Sequence, residues 1–173
     1  MILKLIGGIL IIAASGVFGI AAANKYSQRP KDIRKFRATL QMLETEIVFG
    51  GTPLPQAFFH IANKSENCFK GFYTSIAEEL QTAAAASLDF SWARAVEGLI
   101  QESSLNRVDR ELITDFGKVL GSSDREDQKK HFELLYIQLK QNEDQAEEER
   151  RKNEKMYRSL GFLSGIVIFI LLV

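Results

Sequence analysis

The sequence predicts an all-α protein, a helical bundle of about six helices with an oily segment at each end. Apolar residues recur at alternating steps of three and four through most of the charged middle, the spacing of core-facing helical stripes. Only three prolines interrupt 173 residues, and none lies beyond Pro55. Between Gly121 and Gly161 there is neither proline nor glycine, so one long final helix is expected.

The first element is the oily segment 1–24. From Ile2 to Ala23 it carries one charge, Lys4, and the apolar run after that lysine is 19 residues long. A secretory leader cleaved after Ala23 would fit the Ala21-Ala22-Ala23 triplet, but a leader core holds only ~7–15 apolar residues, whereas ~20 span a bilayer. Lys25, Arg29, Lys31, Arg34, Lys35 and Arg37 crowd the downstream flank against a single Asp32. Basic residues resist translocation, so the segment is expected to be a transmembrane helix with its downstream side in the cytoplasm.

Five helical stripes follow within the expected domain, 25–157. The first is Ile33, Phe36, Leu40, Leu43 and Ile47, stopped at Gly50-Gly51. Thr52, Pro53 and Leu54 read as a helix start, a capping hydroxyl followed by proline in the first helical position, opening a stripe of Leu54, Ala57, Phe58 and Ile61. A third helix is marked by Phe69, Phe72, Tyr73, Ile76 and Leu80. A fourth is marked by Trp92, Val96, Leu99 and Ile100, with Ser87 and Asp89 as cap candidates after the ambiguous alanine run 83–86. The fifth stripe, Leu105, Val108, Leu112, Phe116, Val119 and Leu120, ends at Gly121, suited to a left-handed cap.

The last helix starts after Ser123 or Asp124, either able to cap it, and shows Phe132, Leu135, Tyr136 and Leu139 on one face. From Lys140 to Lys155 only Ala146 continues that face, so Glu143, Asp144, Glu147, Glu148 and Glu149 read as a solvated surface. Residues 158–173 are expected to form a second transmembrane helix, continuous with this one. Arg150, Arg151, Lys152, Lys155 and Arg158 precede it, again placing the basic flank on the domain side. The uncharged run from Ser159 measures about 22 Å, short of a ~30 Å hydrocarbon core unless Met156 and Tyr157 extend it. Ser15, Gly19 and Ala23 in the first segment and Gly161 and Gly165 in the second stand at helical spacing, the small-residue pattern that lets helices pack closely in lipid.

Charge excludes one class of partner. Lysine plus arginine and aspartate plus glutamate number 22 each, and the middle lacks the basic excess with which nucleic-acid binders release counterions from phosphates. Phosphate-loop, nucleophile-elbow, paired-histidine zinc and dinucleotide fingerprints are all missing, so no enzyme and no cofactor are expected. His60 and His131 fall in different helices without a second ligand one turn away, and the lone Cys68 reads as a small buried hydrophobe. The exposed charges Arg34 and Arg37 near the membrane, and Asp124, Arg125 and Glu126 at the last turn, are the candidates for reversible partner contact.

Arg29-Pro30-Lys31-Asp32-Ile33-Arg34, Leu43-Glu44-Thr45-Glu46-Ile47, Gly51-Thr52-Pro53-Leu54, Leu120-Gly121 with Asp124, Arg125 and Gln128, and the closing run from Glu154 to Leu163 together resemble the stage III sporulation protein AB family of endospore-forming bacteria. The resemblance covers nearly the whole chain, apart from about residues 63–107. It implies a cytosolic domain similar to the F domain of type II secretion and type IV pilus inner-membrane platform proteins. It further implies residence in the mother-cell membrane around the forespore, in a channel complex with other membrane components, an ATPase partner, stage III sporulation protein AA, and scope for oligomers. A membrane-anchored helical adaptor unrelated to secretion-type assemblies is the alternative that the residues leave open.

Overall fold

The computed structural model describes residues 27–82, 87–121 and 125–172. Among these every regular element is helical: α1 (27–44) running into a π-helical turn, Thr45–Phe49, then α2 (Leu54–Lys64), α3 (Asn67–Thr82), α4 (Leu88–Glu102), α5 (Arg107–Val119) and α6 (Arg125–Leu172). The all-α expectation and the helix number hold. The chain divides into two compact units, Lys31–Glu143 and a second drawn from the chain ends, Met1–Pro30 with Asp144–Val173.

The unit Lys31–Glu143 is built around aromatic rings. Phe36 of α1 meets Phe69 and Phe72 of α3; Phe58 of α2 meets Tyr73 and Trp92; Trp92 of α4 meets Phe72 and Phe116; Phe116 of α5 meets Phe132 of α6. Centroid separations of 5.0–6.2 Å in tilted, edge-on and stacked arrangements are those in which ring quadrupoles attract. Ile33, Leu40, Leu43, Ile61, Ile76, Val96, Ile113 and Leu139 fill the space around them, fully buried. Short turns make successive helices antiparallel. Leu54 and Leu88 therefore flank Gly121 at one end of this unit, and at the other end Asp32 Oδ2 accepts a 2.9 Å hydrogen bond from the Ser104 amide.

Two local expectations are corrected. Thr52 does not cap α2: Pro53 occupies the cap position, no side chain bonds the helix start, and Pro55 holds the early helical position expected of Pro53. Proline has no N–H to lose there, so the start suits two prolines, and Thr52 Oγ1 is free to donate 2.9 Å to Glu46 Oε2. The fifth stripe is also phased differently. Val108 is 52% exposed, whereas Asp109, Ile113 and Gly117 turn inward with Phe116. Asn106 and Asp109 explain the rotation, since each accepts from the other's backbone amide at 3.0 Å in a reciprocal cap that fixes where α5 begins. Gly117 is then required, because a Cβ there would land on the Trp92 ring, whose Nε1 donates 2.7 Å to the Ile113 carbonyl.

Other signals hold. Gly51 and Gly121 adopt the left-handed φ of +63° and +75°, and Ser87 occupies the cap of α4. The long final helix is present and reaches Leu172. Among the described residues, however, no helix is long and apolar enough to cross a membrane, so continuity of α6 with a membrane segment is not met there. The uncharged C-terminal run of about 15 residues is too short by itself. Segment 1–24, with Ser15, Gly19 and Ala23, lies outside the described residues, as do the alanine run 83–86 and the cap candidates Ser123 and Asp124.

Candidate functional site

The main departure from the sequence reading is Glu143. Expected on a solvated face, it is only 5% exposed, and α6 presents it to α1. Arg34 Nε donates 3.0 Å to one carboxylate oxygen and Arg37 Nη1 donates to the other. Burial pushes the Glu143 carboxyl up, but the two guanidinium hydrogen bonds outweigh it and hold the group below the usual carboxylate range. Arg34 and Arg37, expected as open docking charges, are thus engaged within the chain. Arg34 still shows 64% of its side chain to solvent; Arg37 is largely covered.

Helical phase carried this signal. Phe132, Leu135, Leu139, Glu143 and Ala146 step by three and four, so Glu143 continues the buried stripe where an apolar residue would be expected. Farther along the same helix pair, the Tyr136 hydroxyl donates 2.9 Å to Glu44 Oε2, and its partial burial together with the Glu44 carboxylate pushes the phenol up. Asn142 Nδ2 donates 2.8 Å to the buried Asp109, tying α6 to the start of α5. In the chain-end unit, Arg29 is buried and pairs with Glu149 at 3.3 Å, also unforeseen.

A second polar cluster gathers on the π-helical turn after α1. Glu46 accepts from Thr52, lies 3.2 Å from His60 Nδ1 and 3.8 Å from Lys64 Nζ. The His60 and Thr52 hydrogen bonds hold its carboxyl below the usual range. His60 is accordingly a carboxylate partner. No group of three or more histidine, cysteine or acidic side chains among the described residues could hold a metal. Arg125 reaches to within 3.1 Å of where a Cβ on Gly51 would stand, and Glu126 is exposed beside it on the first turn of α6. Cys68 is half-buried, and burial together with the Asp32 charge pushes its thiol up, away from nucleophile chemistry. What these residues offer is ion pairing and surface contact.

The model of the family described as stage III sporulation protein AB matches residues 4–173. The chain belongs to the stage III sporulation protein AB family. Stage III sporulation protein AB of Bacillus subtilis (strain 168) is 36% identical over 170 residues, covering 98% of this chain and 99% of that protein. A solved structure of stage III sporulation protein AB superposes with a TM-score of 0.67 at 31% identity, covering 72% of this chain and 98% of its own. The resemblance read from the Arg29–Arg34 run, the Gly51–Leu54 turn and the closing segment is borne out, and the family's description names a sporulation protein rather than an enzyme. Of the residues expected to meet a partner, Arg125 and Glu126 stand exposed at the start of α6 and Asp124 lies outside the described residues; Gly161 and Gly165, expected to pack membrane helices, fall within the helical span of α6.

Proposed function

We propose that the protein is a platform component of the sporulation channel between mother cell and forespore, held in the mother-cell membrane by both chain ends with its helical bundle in the cytoplasm. It takes up work from a cytosolic ATPase of the stage III sporulation protein AA type and passes it to other membrane components, with no catalysis of its own. The observation that carries this reading is the span of the family match, residues 4–173, which takes in the oily ends together with the bundle. The basic flanks at Lys25–Arg37 and Arg150–Arg158 support a cytoplasmic bundle.

Arg34 and Arg37 are tied to Glu143, which leaves Arg125 and Glu126 as the charges best placed for reversible docking. Retention of the ATPase on the full-length, detergent-extracted protein tests this. Wild-type protein is expected to retain it, and Arg125→Glu to reduce retention by about tenfold. A wild-type chain that retains no ATPase, with its bundle folded, overturns the coupling; full retention by Arg125→Glu moves the contact away from this turn.

A further inference from the structure

Glycine inside a helix destabilises it unless packing or backbone conformation requires the missing Cβ. Gly50, Gly51 and Gly121 serve turns, and Gly117 makes room for Trp92. Gly71 in α3 and Gly98 in α4 have no such reason: neither has a positive φ, and a Cβ on either would meet nothing within 4 Å. Both line one cavity of about 260 Å³, open along the surface between α3 and α4, with Phe72 and Leu99 on its wall and Arg94 and Glu102 beside Gly98. Bare backbone facing an open groove from both sides permits close approach by another backbone.

The charges identify the occupant. Phe90, Arg94, Gly98 and Glu102 stand four residues apart and form one ridge of α4, all exposed, with Phe90 at 59%. Arg94 and Glu102 lie equal distances on either side of Gly98 and are opposite in sign. A two-fold interface sets residue i against j and j against i. If two α4 helices cross antiparallel at Gly98, each Arg94 faces the other chain's Glu102, and the ridge is complementary to itself. Glu102 makes no ion pair among the described residues, whereas Glu97, the other glutamate of α4, is taken by Arg110. Arg94 meets Glu79 through Nη1 at 3.3 Å, which leaves donors of its guanidinium for a second carboxylate. We propose that the α3–α4 groove is a homodimer interface, with α4 of each copy crossing its counterpart at Gly98 and paired by reciprocal Arg94 and Glu102 contacts. The inference is independent of any ATPase contact.

Full-length protein carrying Cys68→Ser and Gly98→Cys, oxidised in native membranes with copper phenanthroline, tests it. The open space around Gly98 lets the variant fold, and a disulfide forms only where Cα atoms come within about 7 Å. A disulfide homodimer is expected at a yield about tenfold above Gln56→Cys, an exposed site on α2. In the Gly98→Cys background, Arg94→Glu or Glu102→Arg is each expected to lower the yield about fivefold, and the two together to restore it, because the swapped charges pair again across the two-fold axis. Yield no higher than at Gln56→Cys, cross-linking to a protein of another mass, or failure of the double swap to restore the dimer overturns the proposal.

Discussion

Glu143 shows what one residue decides here. With one carboxylate oxygen bonded to each of two arginines, it clamps α6 to α1, and Glu143→Gln leaves both guanidinium groups without their counter-charge. The two arginines are partly solvated, so the expected loss is about 1–2 kcal/mol rather than the larger cost of breaking a fully buried pair. Because the carboxyl is held below its unfolded value, its contribution is complete above that value and disappears as pH falls through the folded one. Denaturant midpoints measured from about pH 6 down to about pH 3 should therefore fall more steeply for wild type than for Glu143→Gln. Gly117→Ala is a harsher change: its methyl group would displace the Trp92 ring from its bond to Ile113, at an expected cost of about 2–3 kcal/mol by the same measurement.

At the scale of elements, helical phase was legible and its exceptions were polar. Ile33–Leu43, Ala57–Ile61, Phe69–Ile76 and Trp92–Leu99 are buried as their spacing requires, whereas Ile47, Leu54, Leu80 and Ile100, which belong to the same expected stripes, are only half-buried. In α5 the apolar spacing of Val108 and Leu112 does not set the buried face, because the reciprocal cap of Asn106 and Asp109 fixes the helix rotation. On α6 beyond Lys140 charge does not mean solvent, because Glu143 keeps the phase of the buried stripe. The π-helical turn Thr45–Phe49 had no signature in periodicity, since it shifts a helix by one residue without changing its composition. Asn106→Ala should remove the α5 cap and cost about 1 kcal/mol, read as a drop in thermal midpoint. Gly98→Ala should do the reverse, raising bundle stability by up to about 1 kcal/mol because its methyl group meets nothing within the chain.

For the whole molecule, the distribution of charge says more than any single group. Lysine plus arginine balance aspartate plus glutamate at 22 each, and the chain belongs to a family of sporulation proteins. The family and the helical class were readable from local runs spread along the chain; the docking residues were not, because a charge that pairs within the chain looks in sequence like one that awaits a partner, as Arg34 and Arg37 demonstrate. The account depends on the bundle sharing a compartment with ATP. The most direct measurement is the sidedness of a single cysteine at Gln56, exposed on α2, in a Cys68→Ala background, labelled with a membrane-impermeant maleimide in intact and in permeabilised protoplasts. Labelling only after permeabilisation is the predicted result; labelling of intact protoplasts would put the bundle outside the cytoplasm and contradict the coupling to an ATPase.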